Sequence, residues 1–132
     1  MASIFTRIIN GEIPCYKVAE DDNYIAFLDV RPMKPGHTLI VPKKEVDYIF
    51  DLNEDALAGV MLFAQKVARA MKEVIDCKRI GVAVLGLEVP HAHIHLIPIT
   101  KEGDMLFTNP RVPLSPEENE KLAKDIGAHV RL

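Results

Sequence analysis

The stretch VPHAHIHLIPI, residues 89–99, sets three of the chain's five histidines at every second position. In a strand, successive side chains alternate between faces, so His91, His93 and His95 are expected on one side and Ala92, Ile94 and Leu96 on the other. Same-side neighbours along a strand stand about 6.5–7 Å apart. That spacing is too wide for one imidazole to hydrogen-bond the next, but it suits a row lining one ligand from end to end. Three explanations compete: a metal site, a phosphate-handling catalytic row, or three half-buried histidines with no common task.

The surrounding patterns supply the fold. Ser3 caps a short amphipathic helix carrying Ile4, Phe5, Ile8 and Ile9, which Gly11 ends. CYKVAE and YIAFLDV are two strands joined through Asp21-Asp22-Asn23, a hairpin signal, and HTLIVP is a third after the rigid turn RPMKPG. Asn53, backed by Glu54 and Asp55, opens the longest helix, with Leu57, Val60, Met61, Ala64, Val67, Ala68, Met71 and Val74 at helical spacing. RIGVAVLG and HAHIHLIPI are the fourth and fifth strands. Ser115 and Glu118 form a capping box with Pro116 at the first helical position. This order predicts an α+β fold, an antiparallel sheet of about five strands with one long central helix and shorter N- and C-terminal helices. A doubly wound parallel sheet is disfavoured because few strands are separated by crossover helices.

A chain of 132 residues is expected to form a single domain, 1–132, with a real core. Its formal charge of −3 argues against broad nucleic-acid binding, which needs a basic face, yet leaves room for a locally positive pocket. Cys15 and Cys77 have no CxxC spacing and read as reduced thiols of a cytoplasmic protein. The segment MASIFTRIINGEIP is interrupted by Arg7, Asn10 and Glu12, so neither a signal peptide nor a membrane span is expected.

The chemistry of the row separates the explanations. Catalytic zinc takes three protein ligands. H-x-H with His37 or an acid would supply them, but three members of one flat row do not converge on a single ion without distortion. A phosphate asks for less. A neutral imidazole nitrogen attacks phosphorus when its other N–H is held by an acceptor, while neighbouring imidazoles stabilise the oxyanion and protonate the leaving group.

HAHIHLI matches the His-φ-His-φ-His-φ-φ signature, φ being apolar, of the histidine triad (HIT) superfamily, and the chain resembles its nucleotide-binding protein branch. IFTRIINGEIP, YIAFLDV and GHTLIVPKK resemble, in order, the family's N-terminal helix, ribose-contacting strand and pre-helix strand. The likeness covers about residues 3–99 and leaves about 100–132 as a C-terminal extension. It implies hydrolysis or transfer at the α-phosphate of purine nucleotides, such as phosphoramidates or dinucleoside polyphosphates, through a nucleotidyl-histidine on His93. His91 and His95 would flank it, and His37 would reach the same phosphate region. Asp29 resembles the acid that accepts both ribose hydroxyls, with Val30 beside it. Ile4, Phe5, Ile8, Ile13, Phe27 and Leu39 would enclose the base, and Gly86 would stand for the family's glycine near the phosphate. No cofactor is implied, and a homodimer is, with helix 53–76 as a candidate interface. A non-catalytic nucleotide-binding module and, further off, a metal-dependent hydrolase are the alternatives.

Two departures accompany the likeness. The family usually carries Gly-Gln-Ser or Gly-Gln-Thr before its histidines, whereas Leu87 and Glu88 here replace the amide and hydroxyl donors. An ionised Glu88 in contact with a phosphate would repel it. Many bacterial members also hold a structural zinc through C-x-x-C and histidines. Here Ser3, Thr6 and Glu45 occupy those positions, so no structural zinc is expected.

Overall fold

The computed structural model describes residues 2–132. The Ser3 hydroxyl caps helix α1 (Ile4–Ile9) by accepting from the Thr6 N–H. Strands β1 (Lys17–Glu20) and β2 (Tyr24–Leu28) turn through Asp21, whose Oδ1 accepts from the Asn23 and Tyr24 N–H groups. Strand β3 (Thr38–Pro42) follows a turn in which Gly36 has φ 92°. A Cβ there would overlap the Ile75 side chain, so the turn requires glycine for both conformation and space.

Asn53 caps α2 (Glu54–Val74) through the Ala56 N–H, with Glu54 and Asp55 favourably placed at the positive end of the helix dipole. Strands β4 (Arg79–Ala83) and β5 (Ile94–Ile99) precede α3 (Pro116–Gly127), which begins with the Ser115–Glu118 capping box. The five strands form one antiparallel sheet in the order β1-β2-β3-β5-β4. The architecture is therefore the expected α+β fold.

Alternation gives the sheet two apolar faces. Val60, Phe63, Val67 and Met71 of α2, with Ala123 and Ile126 of α3, pack with Ala26, Leu28, Ile40, Ile94 and Leu96. Phe27, Ile25, Leu39 and Val41 face the opposite way and meet Phe5 of α1. Consequently β2 and β3 are buried throughout, as central strands covered on both faces must be. Ala92, Ile94 and Leu96 all join the helix-side core, as the alternation requires.

The strands are shorter than the sequence pattern suggests. β4 ends at Ala83, and β5 begins only at Ile94, so His91 and His93 precede the paired strand. The Ala92 N–H donates to the Val46 carbonyl and the His91 N–H turns back to Val89, which takes both donors out of the ladder. The histidine row is thus a turn running into a strand. Among the described residues no helix is long and apolar enough to cross a membrane.

Candidate active site

Register brings the site together. Phe27 stands opposite Leu39, Leu39 opposite His95, and His95 opposite Ala83, forming one rung across four strands. Ile4, Phe5, Leu39, Asp29, His93 and His95 border a cavity of about 330 Å³ with the 85–89 loop, Phe107 and Arg111. Gly86 belongs to that loop and has φ 74°, a conformation that a side chain would strain.

The histidines have separate environments. His91 is fully buried. Its Nε2 lies 2.7 Å from the Pro42 carbonyl, so Nε2–H donates and, in the neutral ring, Nδ1 accepts from the Ser3 hydroxyl at 2.7 Å. His93 Nδ1 lies 2.8 Å from the His91 carbonyl and must donate there. That leaves Nε2 as the lone-pair nitrogen of a ring bordering the cavity. Phe5 holds the ring edge-on, with centroids 4.9 Å apart.

A second chain of hydrogen bonds sets the other pair. The Met33 N–H donates to His37 Nδ1 at 3.1 Å, so the proton of neutral His37 resides on Nε2. His37 Nε2 lies 3.0 Å from His95 Nδ1, and His95 therefore carries its proton on Nε2, the nitrogen left for a ligand. This imidazole pair bonds across the sheet, between His95 and the residue before β3, whereas no ring within the row bonds the next, as the spacing along a strand requires. Within the row, the His93 and His95 rings meet edge-on at 4.9 Å.

Burial keeps these rings neutral. It pushes His37 down to about 4, assisted by the charges of Arg111 and His93. Burial likewise takes His95 down to about 3, with His93, His37 and Arg111 acting in the same direction and Asp29 opposing. His93 is lowered chiefly by burial, against the raising effects of the His91 carbonyl and of Asp29 and Glu88.

The other candidate residues divide. Asp29 reaches the cavity with its Oδ1 held by the Arg31 N–H at 2.9 Å. Phe27 and Ile8 pack behind Phe5 in the apolar cluster and do not border the cavity. Val30 is 70% exposed and Ile13 also stands outside the wall, because the chain turns away after Asp29 and after α1. His91, although on the same side as His93, does not border the cavity either, since Ser3 and Pro42 occupy both its nitrogens. Glu88 is at the cavity, and so are Phe107 and Arg111, which sequence reasoning missed. Their segment has no periodicity to reveal its position.

Asp29, His37 and His95 carry ligand-type atoms within 4.8 Å of one another. With the Met33 N–H on Nδ1, however, His37 Nε2 is a protonated donor and has no lone pair for an ion. Around His91, Ser3 Oγ, Thr6 Oγ1 and Glu45 Oε1 stand 2.7, 3.4 and 4.0 Å from Nδ1. Glu45 Oε1 accepts from the Ser3 N–H at 2.7 Å and the Thr6 hydroxyl at 2.6 Å, which holds its carboxyl down to about 2. Two hydroxyls, a carboxylate and one imidazole, already bonded to one another, do not fit a structural zinc, which takes sulfur and imidazole ligands.

The HIT domain family profile matches residues 10–102. Adenosine 5'-monophosphoramidase hnt1 of Schizosaccharomyces pombe is 32% identical over 133 residues, covering 99% of this chain and 100% of that protein. A Hit-like protein from Bartonella henselae superposes with a TM-score of 0.84 at 35% identity, over 96% of this chain and 95% of its own. A Zn-bound histidine triad family protein from Mycobacterium smegmatis gives 0.81 at 30% identity, over 97% and 94% respectively. Matched over residues 10–102 by the family profile and over almost its whole length by these relatives, the chain belongs to the HIT domain family.

Proposed function

We propose that this protein is a nucleotide hydrolase or nucleotidyltransferase acting at the α-phosphate of purine nucleotides through a nucleotidyl-His93 intermediate. The observation that carries the proposal is the pair of bonds at His93: Nδ1–H given to the His91 carbonyl, and Nε2 left unprotonated beside the cavity. Ile4, Phe5 and Leu39 hold the base, and Asp29 accepts from the ribose hydroxyls. His93 Nε2 forms a bond to phosphorus as the bond to the leaving group breaks. His95 Nε2–H stabilises the developing oxyanion or supplies the leaving group's proton. Water then attacks phosphorus, restoring to His95 Nε2 the proton given to the leaving group, the N–P bond breaks with its electron pair returning to His93 Nε2, and the mononucleotide departs. The relative named adenosine 5'-monophosphoramidase supports an amine as one leaving-group class.

The test is to mix the protein with adenosine or guanosine phosphoramidate, quench in alkali and weigh the intact chain. A mononucleotide adduct that disappears in His93→Gly is expected. Tight nucleotide binding with neither adduct nor product would instead identify a binding module. Activity abolished by chelation and restored by a divalent ion would identify a metal-dependent hydrolase.

A cytoplasmic homodimer accompanies this reading. β4 is an edge strand with Val82 exposed, and Val84 beyond it and Met61 and Leu62 on α2 are exposed as well. Light scattering at micromolar concentration is expected to give twice the chain mass. A monomer there would reject the dimer.

A further inference from the structure

Leu87 and Glu88 give the cavity no side-chain donors from the 85–89 loop, and Glu88 adds a negative charge beside it. Arg111, from the C-terminal segment, borders both this cavity and an adjoining pocket of about 380 Å³ that also touches Asp29, Arg31 and Glu88. Its segment is tied down where the Val112 N–H donates to the Pro32 carbonyl at 2.9 Å. Phe107 packs edge-on against His95 with centroids 5.0 Å apart, and the guanidinium carbon of Arg111 lies 5.9 Å from the Phe107 ring centre. The cation is therefore held close to His37 and His95, and its charge disfavours protonation of both.

One guanidinium nitrogen, Nη1, is buried with no hydrogen-bond partner, and among the described residues no carboxylate lies within 4.0 Å of Arg111. A desolvated, unpaired guanidinium nitrogen is costly in the free protein, and an incoming anion recovers that cost. The planar fork presents paired N–H groups matched to two oxygens of a phosphate. Asp29 and Glu88 border the same space without pairing with the cation, so it remains open to a ligand.

We infer that Arg111 is a substrate-binding residue that clamps the non-bridging oxygens of the nucleotide's α-phosphate, supplying from the C-terminal segment the side-chain donors that Leu87 and Glu88 lack. This rests on the purine nucleotide reading of the cavity and assigns the phosphate contact within it. The clamp makes the 107–112 segment part of the site and offsets the repulsion of Glu88.

Calorimetry with adenosine 5'-monophosphate and with adenosine tests it without turnover. Arg111→Gln is expected to weaken the monophosphate about 10- to 100-fold, the range for losing hydrogen bonds to a charged group, while adenosine stays within about twofold. Arg111→Lys keeps the charge but not the fork, so its monophosphate affinity should fall between the two. It also carries the test should the glutamine variant fail to fold. Equal weakening of both ligands, or unchanged monophosphate binding, overturns the clamp. Wild-type protein that binds neither ligand would overturn the purine reading first and the clamp with it, an outcome distinct from any change confined to the variants.

Discussion

The Ser3 hydroxyl lies 2.7 Å from His91 Nδ1, across 88 residues of chain. It completes a relay: Glu45 holds the Ser3 backbone, Ser3 holds the His91 ring, and the His91 carbonyl holds His93. Under the proposed mechanism His91 is a positioning residue, and Ser3, which does not border the cavity, acts on His93 through it.

Ser3→Ala leaves Nδ1 of a fully buried ring without its donor. The expected loss is about 1–3 kcal/mol of folding stability, measured by urea unfolding, with a smaller fall in kcat. Unchanged stability would show that the bond contributes nothing.

The same cluster defines a metal-site conversion. Ser3→Cys, Thr6→Cys and Glu45→His together surround His91 Nδ1 with two thiolates and a second imidazole, a set suited to tetrahedral zinc. The triple variant should retain one zinc per chain through mild chelation, as read by elemental analysis, while the parent retains none. Stoichiometric zinc in the parent would contradict the misfit argued from its ligands.

His37→Ala removes the donor that fixes the His95 tautomer. A fall in kcat of about 100-fold is expected, within the range for a misplaced general acid, with KM changed much less. His37→Gln places an amide N–H near the lost Nε2–H and should recover part of the rate. Equal loss in both variants would assign His37 a packing role only.

Acid affects rate and fold with the same sign. Burial lowers His93, so activity should stay level through the ordinary histidine value near pH 6.5 and decline below it. A rate that rises as pH drops would contradict a histidine nucleophile. For stability, His37 at about 4 and His95 at about 3 remain unprotonated when folded, whereas the unfolded chain takes up those protons near 6.5. The unfolded state binds more protons across this interval, so stability falls as pH drops from about 6.5 towards 4. Urea midpoints at several pH values should decline over that window.

Local patterns made much of the fold legible. Ser3, Asn53 and Ser115 cap the three helices as expected, and Ala92, Ile94 and Leu96 enter the core by alternation. Periodicity and capping are short-range properties, which is why residue order alone reveals them. The split between His91, His93 and His95 was not legible, because each ring's role depends on contacts that only the folded turn and sheet create: Ser3 and Pro42 for His91, the His91 carbonyl and Phe5 for His93, and His37 for His95. Nor was the arrival of Phe107 and Arg111, which come from a segment without a repeating pattern.

By itself, then, the sequence determined the strands, the helices and the concentration of imidazoles on one side of the sheet, since these follow from spacing along the backbone. Tertiary structure alone decided which ring nitrogen keeps a lone pair, which carries a proton, and which cation borders the site. Those properties depend on backbone groups that the turns at Met33 and His91 aim at the rings, on the bond between His37 and His95 across 58 residues, and on burial, and they exist only once the chain has folded.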